Sequence, residues 1–323
     1  MQRKFFLAAA MLALAVQVQA GQVVLKWGDT QGPTHIAVQM IDRIAKNVAE
    51  KTDNRVVIQS YPGGQLGGSH EMIEAVSLGM LEIVTEGCAN FGQYVPSIGI
   101  MESSYVWRDA DHLVKTMNGP IGQEFNQMLI DKAGIRILGT TYYGARHLTT
   151  TDREVRRVSD MRDLKVRVPE NEVFLEMVKS WDGRPTPMNF NELYLALKQN
   201  VIEAQENPLP TIEAAKFYEV QKYLVLTGHI ITPRLCAINE ATFQRISPAD
   251  QKTLLECVAE GITWNNEQIQ KREEELLEVF AGFGMTIIKV DVDEFRKPVL
   301  EKVVPMFEPR WGKGAWDRIQ QVK

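Results

Sequence analysis

The sequence predicts an α/β fold with largely parallel sheets, divided into two lobes that enclose a cleft. Strand-like and helix-like segments alternate along the chain, which is typical of α/β architecture. The chain has 323 residues, of which 45% are hydrophobic, and chains of this size usually divide their core between two domains. Because no Gly/Ser-rich linker separates two halves, we expect the chain to cross between the lobes more than once through hinge segments.

The alternation can be followed segment by segment. In chain order, the predicted segments are strand 23–27, helix 36–50, strand 55–61, helix 70–78, strands 81–85, 135–141 and 165–168, helices 172–179 and 193–198, and strand 202–204. The first helix has apolar residues at helical spacing from Ile36 to Val48. The sequence YPGGQLGG (61–68) predicts a loop. A helical pattern from Ser247 to Phe280 predicts a helix of roughly 45 Å, long enough to span both lobes.

The first 20 residues predict a secretory signal peptide. They combine a basic start, an apolar stretch and small residues before a cleavage point near Gly21. No later segment approaches the ~20 apolar residues of a transmembrane helix. We therefore expect a soluble, exported protein, with the bacterial periplasm as its compartment.

Charge and cysteine content limit the classes of function. The net charge is −5 and Lys and Arg are scattered, so the sequence does not predict a nucleic-acid-binding protein. Cys88, Cys236 and Cys257 are odd in number and lack metal-ligand spacing. We expect packed free thiols, with one disulfide among the three as the alternative.

The catalytic motifs that we searched for are incomplete. GGSHE around Ser69 lacks the last glycine of a nucleophile elbow, and the segment that follows His70 lacks the second histidine of a zinc helix. The glycine clusters match neither a dinucleotide-binding motif nor a P-loop. We therefore predict a binding protein with no metal and no cofactor. Of the five histidines, His35 at the start of the first helix is the one retained as a site candidate.

Arg167 is the strongest candidate for a ligand contact. It lies at the end of a strand that Pro169 terminates. In open α/β sheets, ligands bind beyond the carboxyl ends of strands. A guanidinium there can hold a carboxylate through two parallel hydrogen bonds. The competing interpretation is an ordinary salt bridge.

Other polar residues follow predicted strands. Arg146 could supply a second cation, and the Asn207 amide can both donate to and accept from a hydroxylated ligand. Glu86 and Asn90 lie in the loop TEGCAN and suit hydroxyl groups. The alternative for Arg146 is a structural salt bridge, for Asn207 a turn cap and for Glu86 a solvated loop acid. Phe190 is a candidate wall of the site, as are Trp27 and Tyr143, although buried aromatic residues usually belong to the core.

Several of these segments resemble a known family. LKWG, YPGGQLG, LKVRVPE, PTPMNFNELYLAL, QENPL and KFYEVQKYLVLTGH are together similar to the solute receptors of tripartite ATP-independent periplasmic (TRAP) transporters, along almost the whole mature chain. The resemblance implies a two-lobed periplasmic binding protein of type II-like fold, with hinge strands and a long helix across both lobes. It also implies that a monomeric receptor closes on a small organic acid and delivers it to TRAP permease subunits.

The resemblance assigns roles and boundaries. It implies Arg167 as the carboxylate clamp, Arg146, Asn207 and Phe190 as further ligand contacts, and the position of Glu170 after RVP as part of the site. We expect lobe I to comprise 21–144 and 233–272, and lobe II 145–232 and 273–323.

The resemblance also bears on the ligand. Sialic-acid receptors carry a glutamate and an arginine where this chain has Gly87 and Asn90, which argues against sialic acid. The sequence favours a uronate or related sugar acid, with a C4-dicarboxylate or keto acid as the alternative. A periplasmic enzyme acting on acidic sugars and a sensory receptor are the alternatives from other classes.

Overall fold

The computed structural model describes residues 21–323 and contains one mixed sheet of nine strands. The predicted signal peptide, residues 1–20, lies outside the described residues. The strands are β1 (Val23–Asp29), β2 (Val56–Tyr61), β3 (Ile83–Gly87), β4 (Ile135–Thr150), β5 (Lys165–Val168), β6 (Arg184–Pro187), β7 (Ala204–Pro208), β8 (Tyr223–Asn239) and β9 (Thr286–Lys289). Their order in the sheet is β2-β1-β3-β8-β4-β7-β5-β6, and β9 pairs with β8.

Helices cover both faces of this sheet. They are α1 (Ile36–Lys51), α2 (Ser69–Ser77), α3 (Ala110–Asn118), α4 (Pro120–Ala133), α5 (Glu172–Ser180), α6 (Phe190–Lys198), α7 (Leu209–Ala214), α8 (Glu240–Arg245), α9 (Pro248–Gly282), α10 (Val292–Pro298), α11 (Val304–Trp311) and α12 (Ala315–Gln320). Short 3₁₀ segments follow β3 at Cys88–Gln93 and Pro96–Glu102. The predicted loop at 61–68 is confirmed for 62–68, and Tyr61 is the last residue of β2.

Two lobes share the sheet through its two longest strands. In the first lobe β1 pairs in parallel with β2 and β3, and in the second β5 pairs in parallel with β6 and β7. Between them β4 and β8 run antiparallel for nearly their whole length. Among the described residues five strand pairs are parallel, as the predicted largely parallel sheet requires, and the three antiparallel pairs all involve the long strands β4 or β8. The sequence did not reveal β8 because its polar and charged residues interrupt the apolar pattern of a buried strand.

The long helix α9 belongs to both lobes. It has 35 residues, about 52 Å at 1.5 Å per residue. Leu254 and Val258 near its start lie in a core cluster with β1 and α1, and Leu276 and Phe280 near its end lie in a cluster with α6 and α7. The prediction of a helix that spans both lobes is confirmed.

Helix α9 also fixes a kink in β4 where that strand passes between the lobes. The β4–β8 register shifts between Tyr142 and Ala145. Glu273 of α9 accepts hydrogen bonds from the Tyr142 hydroxyl (2.6 Å) and the Ala145 amide (2.7 Å), and Asn266 accepts one from the Tyr142 amide (2.9 Å). Between them Gly144 has φ +120°, which L side chains rarely adopt. The kink lies directly before Arg146.

The C-terminal helices contact both lobes. The Trp181 indole nitrogen, at the end of α5, donates to the Phe295 carbonyl of α10 (2.8 Å). Arg318 of α12 pairs with Glu124 of α4 at 2.5 Å. Glu124 precedes and Trp181 follows the predicted division at 144/145, so the C-terminal helices contact both predicted lobes. The lobe boundaries stay a prediction.

The described residues contain no helix with the length and apolar character that a membrane span requires. Cys88, Cys236 and Cys257 are buried and carry free thiols.

Replacing Gly144 by Ala should destabilise the fold. An added Cβ would lie 2.7 Å from the Pro208 Cβ and 2.9 Å from a Glu273 carboxylate oxygen. With the positive φ, we expect the free energy of unfolding to fall by roughly 2–4 kcal/mol in urea denaturation. Gly282→Ala, where a Cβ meets open space in α9, is the matched control and should change stability by less than about 1 kcal/mol. Equal effects of the two substitutions would contradict the role of the kink.

Candidate ligand-binding site

A polar cavity lies between the lobes, beside the kink in β4. About 510 Å³ of atom-free space lies within it, part of it open to solvent. Its lining residues are Thr30, Gln31, Ser69, Glu86, Gly87, Asn90, Glu102, Tyr143, Arg146, Arg167, Pro169, Phe174, Phe190, Asn207, Thr232 and Arg234. Six of the eight predicted site residues are among them.

Arg167 lies on β5 and is 97% buried, with 3% of its surface exposed. Its Nε and Nη2 atoms both donate to the Met188 carbonyl, at 2.9 and 2.6 Å. A guanidinium carries five N–H donors, so these bonds leave the parallel N–H pair of Nη1 and Nη2 to accommodate a carboxylate. Burial lowers the pKa of Arg167 to about 10, which still leaves the side chain protonated at neutral pH.

Arg146 lies on β4 and is held by Glu206 of β7. Its Nε donates to Oε2 of Glu206 at 2.5 Å, and its Nη2 to Oε1 at 2.8 Å. Burial disfavours the charged form of Arg146, but the attraction of Glu206 outweighs it and the pKa of Arg146 is raised. His229 of β8 contacts the same carboxylate, with Nε2 at 3.0 Å from Oε2. The Arg146 charge is therefore already compensated by the protein.

Arg234 lies on β8 and is held by Asp29 at the end of β1. Its two Nη atoms donate to the two Asp29 carboxylate oxygens, each at 3.0 Å. The guanidinium also lies 4.8 Å from the centroid of the Tyr143 ring. Burial opposes the charge on Arg234, but its acidic neighbours raise the pKa well above the ordinary value.

Among the three arginines that line the cavity, Arg167 differs in one respect. The ion pairs formed within residues 21–323 include Arg146 with Glu206 and Arg234 with Asp29, and Arg167 takes part in none of them. A buried cation without a carboxylate partner is costly. The cavity therefore offers one uncompensated positive charge.

Polar atoms without partners also face this cavity. Oε1 of Glu86 and Oγ1 of Thr232 are buried and have no hydrogen-bond partner among the described residues. The other Glu86 oxygen accepts from the Asn90 side-chain amide at 3.4 Å. Burial raises the pKa of Glu86, and the Arg234 guanidinium 3.8 Å away only partly offsets this. Because buried polar atoms are normally bonded, these two atoms suit hydroxyl groups of a ligand.

Glu102 forms the acidic floor of the site beside Gly87. One of its carboxylate oxygens accepts from the Ala89 amide at 2.6 Å. Burial raises the pKa of Glu102 to about 7, although this amide and Arg146 favour the ionised form. Near neutral pH the protonated and ionised forms of Glu102 are therefore both populated.

The site candidates Asn207 and Phe190 lie in the cavity wall. The Asn207 amide donates to Gln205 Oε1 at 2.6 Å, and its oxygen accepts from Arg146 at 3.1 Å. One N–H of this amide remains for a ligand. The Phe190 ring lies 5.9 Å from the Arg167 guanidinium carbon.

Two predicted contacts do not line the cavity. His35 is 1% exposed and caps α1 by accepting from the Ala37 amide, and its ring is stacked on Tyr143 at 5.1 Å. Burial lowers the pKa of His35 to about 3, so it is a neutral residue behind the wall. Glu170 is exposed and lines a separate surface groove. Both residues are sequence-based site candidates that the structure places outside the cavity wall.

Sequence reasoning missed several lining residues. Arg234, Glu102, Thr232, Ser69 and Phe174 all lie in the wall. In the sequence ITPRLCAIN, Arg234 is flanked by apolar residues. This pattern indicates a buried arginine only once residues 223–239 are known to form a strand. Tyr143 lines the cavity, whereas Trp27 is buried in the core, where its indole donates to Thr85.

The arrangement of side chains in the cavity is suited to binding a small anion. Residues 21–323 contain no cluster of three His, Cys, Asp or Glu side chains that could hold a metal ion. One unpaired guanidinium, unpartnered polar atoms and aromatic walls from both lobes can instead capture a small hydroxylated anion.

Comparison with known proteins identifies the family. Residues 27–312 match the family model of the bacterial extracellular solute-binding proteins, family 7 (DctP). The sialic acid-binding periplasmic protein SiaP of Vibrio cholerae is 32% identical over 91% of each chain. The chain therefore belongs to this family of extracytoplasmic receptors, which bind small organic acids and work with TRAP membrane permeases. Its members are receptors and not enzymes.

Solved structures agree with this assignment. A TRAP periplasmic solute-binding protein from Polaromonas sp. JS666, bound to D-erythronate, superimposes with a TM-score of 0.89 at 33% identity and covers 94% of this chain and 99% of its own. A second, from Roseobacter denitrificans with bound 3-deoxy-D-manno-oct-2-ulosonic acid, also gives 0.89, at 28% identity, covering 94% of this chain and all of its own. The predicted two-lobed fold is confirmed.

The raised pKa of Glu102 predicts a pH-dependent stability. Its folded-state pKa of about 7 exceeds the ordinary 4.5, so the folded state binds the proton more tightly than the unfolded state does. The resulting contribution to the free energy of unfolding is complete at pH 4.5 and below and is lost as the pH rises through 7. Glu102→Gln mimics the protonated form and lacks this dependence. In urea denaturation between pH 5 and 8, the stability of the wild type relative to Glu102→Gln should fall by up to about 3 kcal/mol.

His35 and His147, whose pKa values burial lowers to about 3, act in the opposite direction but are common to both proteins and cancel in the difference. Glu74→Gln, exposed on α2, serves as the control and should show a constant difference from wild type. A constant difference for Glu102→Gln as well would mean that Glu102 is ionised throughout this pH range.

Proposed function

We propose that this TRAP receptor binds a sugar acid carrying a single carboxylate, and that Arg167 holds that carboxylate. The observation that carries the proposal is the charge pairing in the cavity. Arg146 and Arg234 are each paired in bidentate geometry with a buried carboxylate, whereas Arg167 has no such partner in the described part of the chain. A carboxylate placed on the free N–H pair of Arg167 forms charge-assisted hydrogen bonds in a largely desolvated site.

The charge balance favours a monoanion over a dicarboxylate. Glu86 and Glu102 line the same cavity as Arg167. A second ligand carboxylate would meet these acids, since the other two lining arginines are already neutralised. Repulsion between like charges in a buried site costs more than in water. The C4-dicarboxylate and keto-acid alternative therefore has less support than the sugar acid.

The hydroxyl groups of a sugar acid match the remaining polar atoms. The Glu86 carboxylate is an acceptor only, so it suits a ligand hydroxyl that donates. Thr232 can donate or accept, and Asn90 and Asn207 supply amides. The ligands of the Polaromonas and Roseobacter proteins are a four-carbon and an eight-carbon sugar acid respectively, so the likeness favours the class and leaves its chain length open.

Sialic acid has less support than smaller sugar acids. The relative from Vibrio cholerae is named for sialic acid, but this chain has Gly87 and Asn90 where the resemblance to sialic-acid receptors requires a glutamate and an arginine. A Cβ at position 87 would lie 2.8 Å from a Glu102 oxygen, so a glutamate here would have to displace that carboxylate. A sensory role would use the same binding site, and nothing in the cavity favours it.

We further propose that the receptor acts as a monomer in the periplasm of a Gram-negative bacterium, after cleavage of residues 1–20, and that it does not bind nucleic acid. The extracytoplasmic setting of the family supports the compartment. Fractionation with N-terminal sequencing, and light scattering on the purified protein, test the processing and the monomeric state.

Arg167 variants test the carboxylate clamp. Arg167→Ala should weaken sugar-acid binding by about 2–5 kcal/mol in titration calorimetry, because the ligand carboxylate loses its only unpaired cation. Arg167→Lys keeps the charge without the planar pair of donors and should bind at an intermediate level. Arg184→Ala, exposed on the neighbouring strand β6, is the control. Near-normal affinity of Arg167→Ala would refute the clamp.

Glu86 variants test the recognition of hydroxyl groups. Glu86→Gln should lower sugar-acid affinity by about 1–3 kcal/mol, reduce discrimination between uronate epimers, and narrow the difference between D-galacturonate and succinate. Calorimetry with D-erythronate, D-galacturonate, its epimers and succinate measures all three effects, with Glu74→Gln as the control. Unchanged selectivity in Glu86→Gln would show that Glu86 does not recognise the ligand hydroxyl groups.

A further inference from the structure

The two lobes contact each other at one edge of the cavity through a glycine-rich loop and a short turn. The loop is Pro62–Gly68 of the first lobe. The turn, Met188–Asn191 of the second lobe, joins β6 to α6 and includes the first two residues of that helix. A Cβ added at Gly64 would lie 2.1 Å from the Asn191 side-chain nitrogen, and one at Gly68 would lie 2.5 Å from the Asn189 side-chain oxygen. The loop therefore approaches the turn more closely than a methyl group would allow.

The turn is attached to the unpaired arginine. Arg167 donates two hydrogen bonds to the Met188 carbonyl, at 2.9 and 2.6 Å. Phe190, two residues further on, lines the cavity and lies 5.9 Å from the Arg167 guanidinium carbon. Four consecutive residues thus link the guanidinium, the cavity wall and the contact with the other lobe.

The loop is attached to the opposite wall of the cavity in a similar way. The Gly64 amide donates to the Asp29 carbonyl at 3.0 Å, and the Gly63 amide to the Gln31 carbonyl at 2.7 Å. Asp29 is the residue that holds Arg234. A second contact between the lobes lies nearby, where the His70 ring approaches the Glu170 carbonyl at 3.1 Å.

We propose that the Met188–Asn191 turn is a positioning element that couples carboxylate binding at Arg167 to lobe closure. Gly64 and Gly68 form the surface of the first lobe that the turn contacts, which we call its seat. The inference rests on the proposed function only in taking Arg167 as the carboxylate site. The seat is occupied only when the lobes are closed, so its contacts stabilise the closed state alone. An arginine held by a carboxylate keeps the Met188 carbonyl, and with it Asn189 and Asn191, at the position that the loop accepts.

Gly68→Ala is the discriminating variant. Gly68 has φ −76°, which alanine adopts without strain, whereas Gly64 has φ +67° and would be strained by any side chain. We expect Gly68→Ala to keep the wild-type melting temperature without ligand. Its affinity for the tightest-binding acid among D-erythronate, D-galacturonate and succinate should fall by about tenfold or more, mainly through faster dissociation. Its radius of gyration at saturating ligand should exceed that of the wild type in small-angle scattering.

Two further variants separate coupling from a merely structural effect. Gly32→Ala, where a Cβ meets open space, should match the wild type in every measurement. Combining Gly68→Ala with Asn189→Ala removes the obstructing oxygen and should restore much of the affinity and the compact radius. The Glu71 carboxylate also approaches this position, but it belongs to the same lobe and its side chain is exposed.

The outcomes distinguish this inference from the proposed function. If Arg167→Ala abolishes binding while Gly68→Ala binds and closes as the wild type does, the coupling is overturned and the carboxylate clamp stands. If Arg167→Ala binds normally, the proposed function fails, and a loss of closure in Gly68→Ala would then mark a lobe contact independent of Arg167. Failure of the Asn189→Ala rescue would also overturn the proposed seat.

Discussion

The site depends on the Arg167 guanidinium, which is buried and forms no ion pair with a carboxylate of residues 21–323. Removing a cation from water is costly unless an anion replaces the lost hydration. The chain meets that requirement for Arg146 with Glu206 and for Arg234 with Asp29, both in bidentate geometry. For Arg167 it supplies only the Met188 carbonyl, which fixes the orientation of the side chain and leaves its charge available. This difference is the reason why we propose Arg167 as the ligand contact and regard Arg146 and Arg234 as members of structural ion pairs.

The rest of the fold positions that charge. Strands β4 and β8 run through both lobes and carry Arg146 and Arg234, so the paired arginines form part of the shared centre of the sheet. Helix α9 holds the kink in β4 through Glu273 and Asn266, and it contributes to the cores of both lobes. Arg167 lies on the shorter strand β5 of the second lobe, near the turn that contacts the first lobe. The shared centre of the sheet and the contact between the lobes are thus built from different elements, an arrangement compatible with closure about a hinge.

The chemistry of the cavity is that of selective capture. Four acidic side chains lie in or beside its wall against three arginines, so an incoming carboxylate finds one favourable position and a second carboxylate would find none among the described residues. The unpartnered oxygens of Glu86 and Thr232 favour hydroxyl groups elsewhere on the ligand. Such a site discriminates between ligands because a molecule without matching hydroxyl groups leaves buried polar atoms unpaired, which costs binding free energy.

The sequence by itself determined the local features: the alternation of strands and helices, the long helix, the glycine-rich loop, the receptor family and the position of Arg167 at the end of a strand. These follow from hydrophobic period, turn chemistry and motifs, which act over neighbouring residues. Only the tertiary structure decided that Arg146 is neutralised by Glu206, that Arg234 and Glu102 line the cavity, and that His35 and Glu170 do not. Ion pairs between residues 60 to 205 positions apart leave no periodic pattern in the sequence. An arginine that is free to bind a ligand therefore cannot be distinguished from one paired with a carboxylate until the positions of the strands are known.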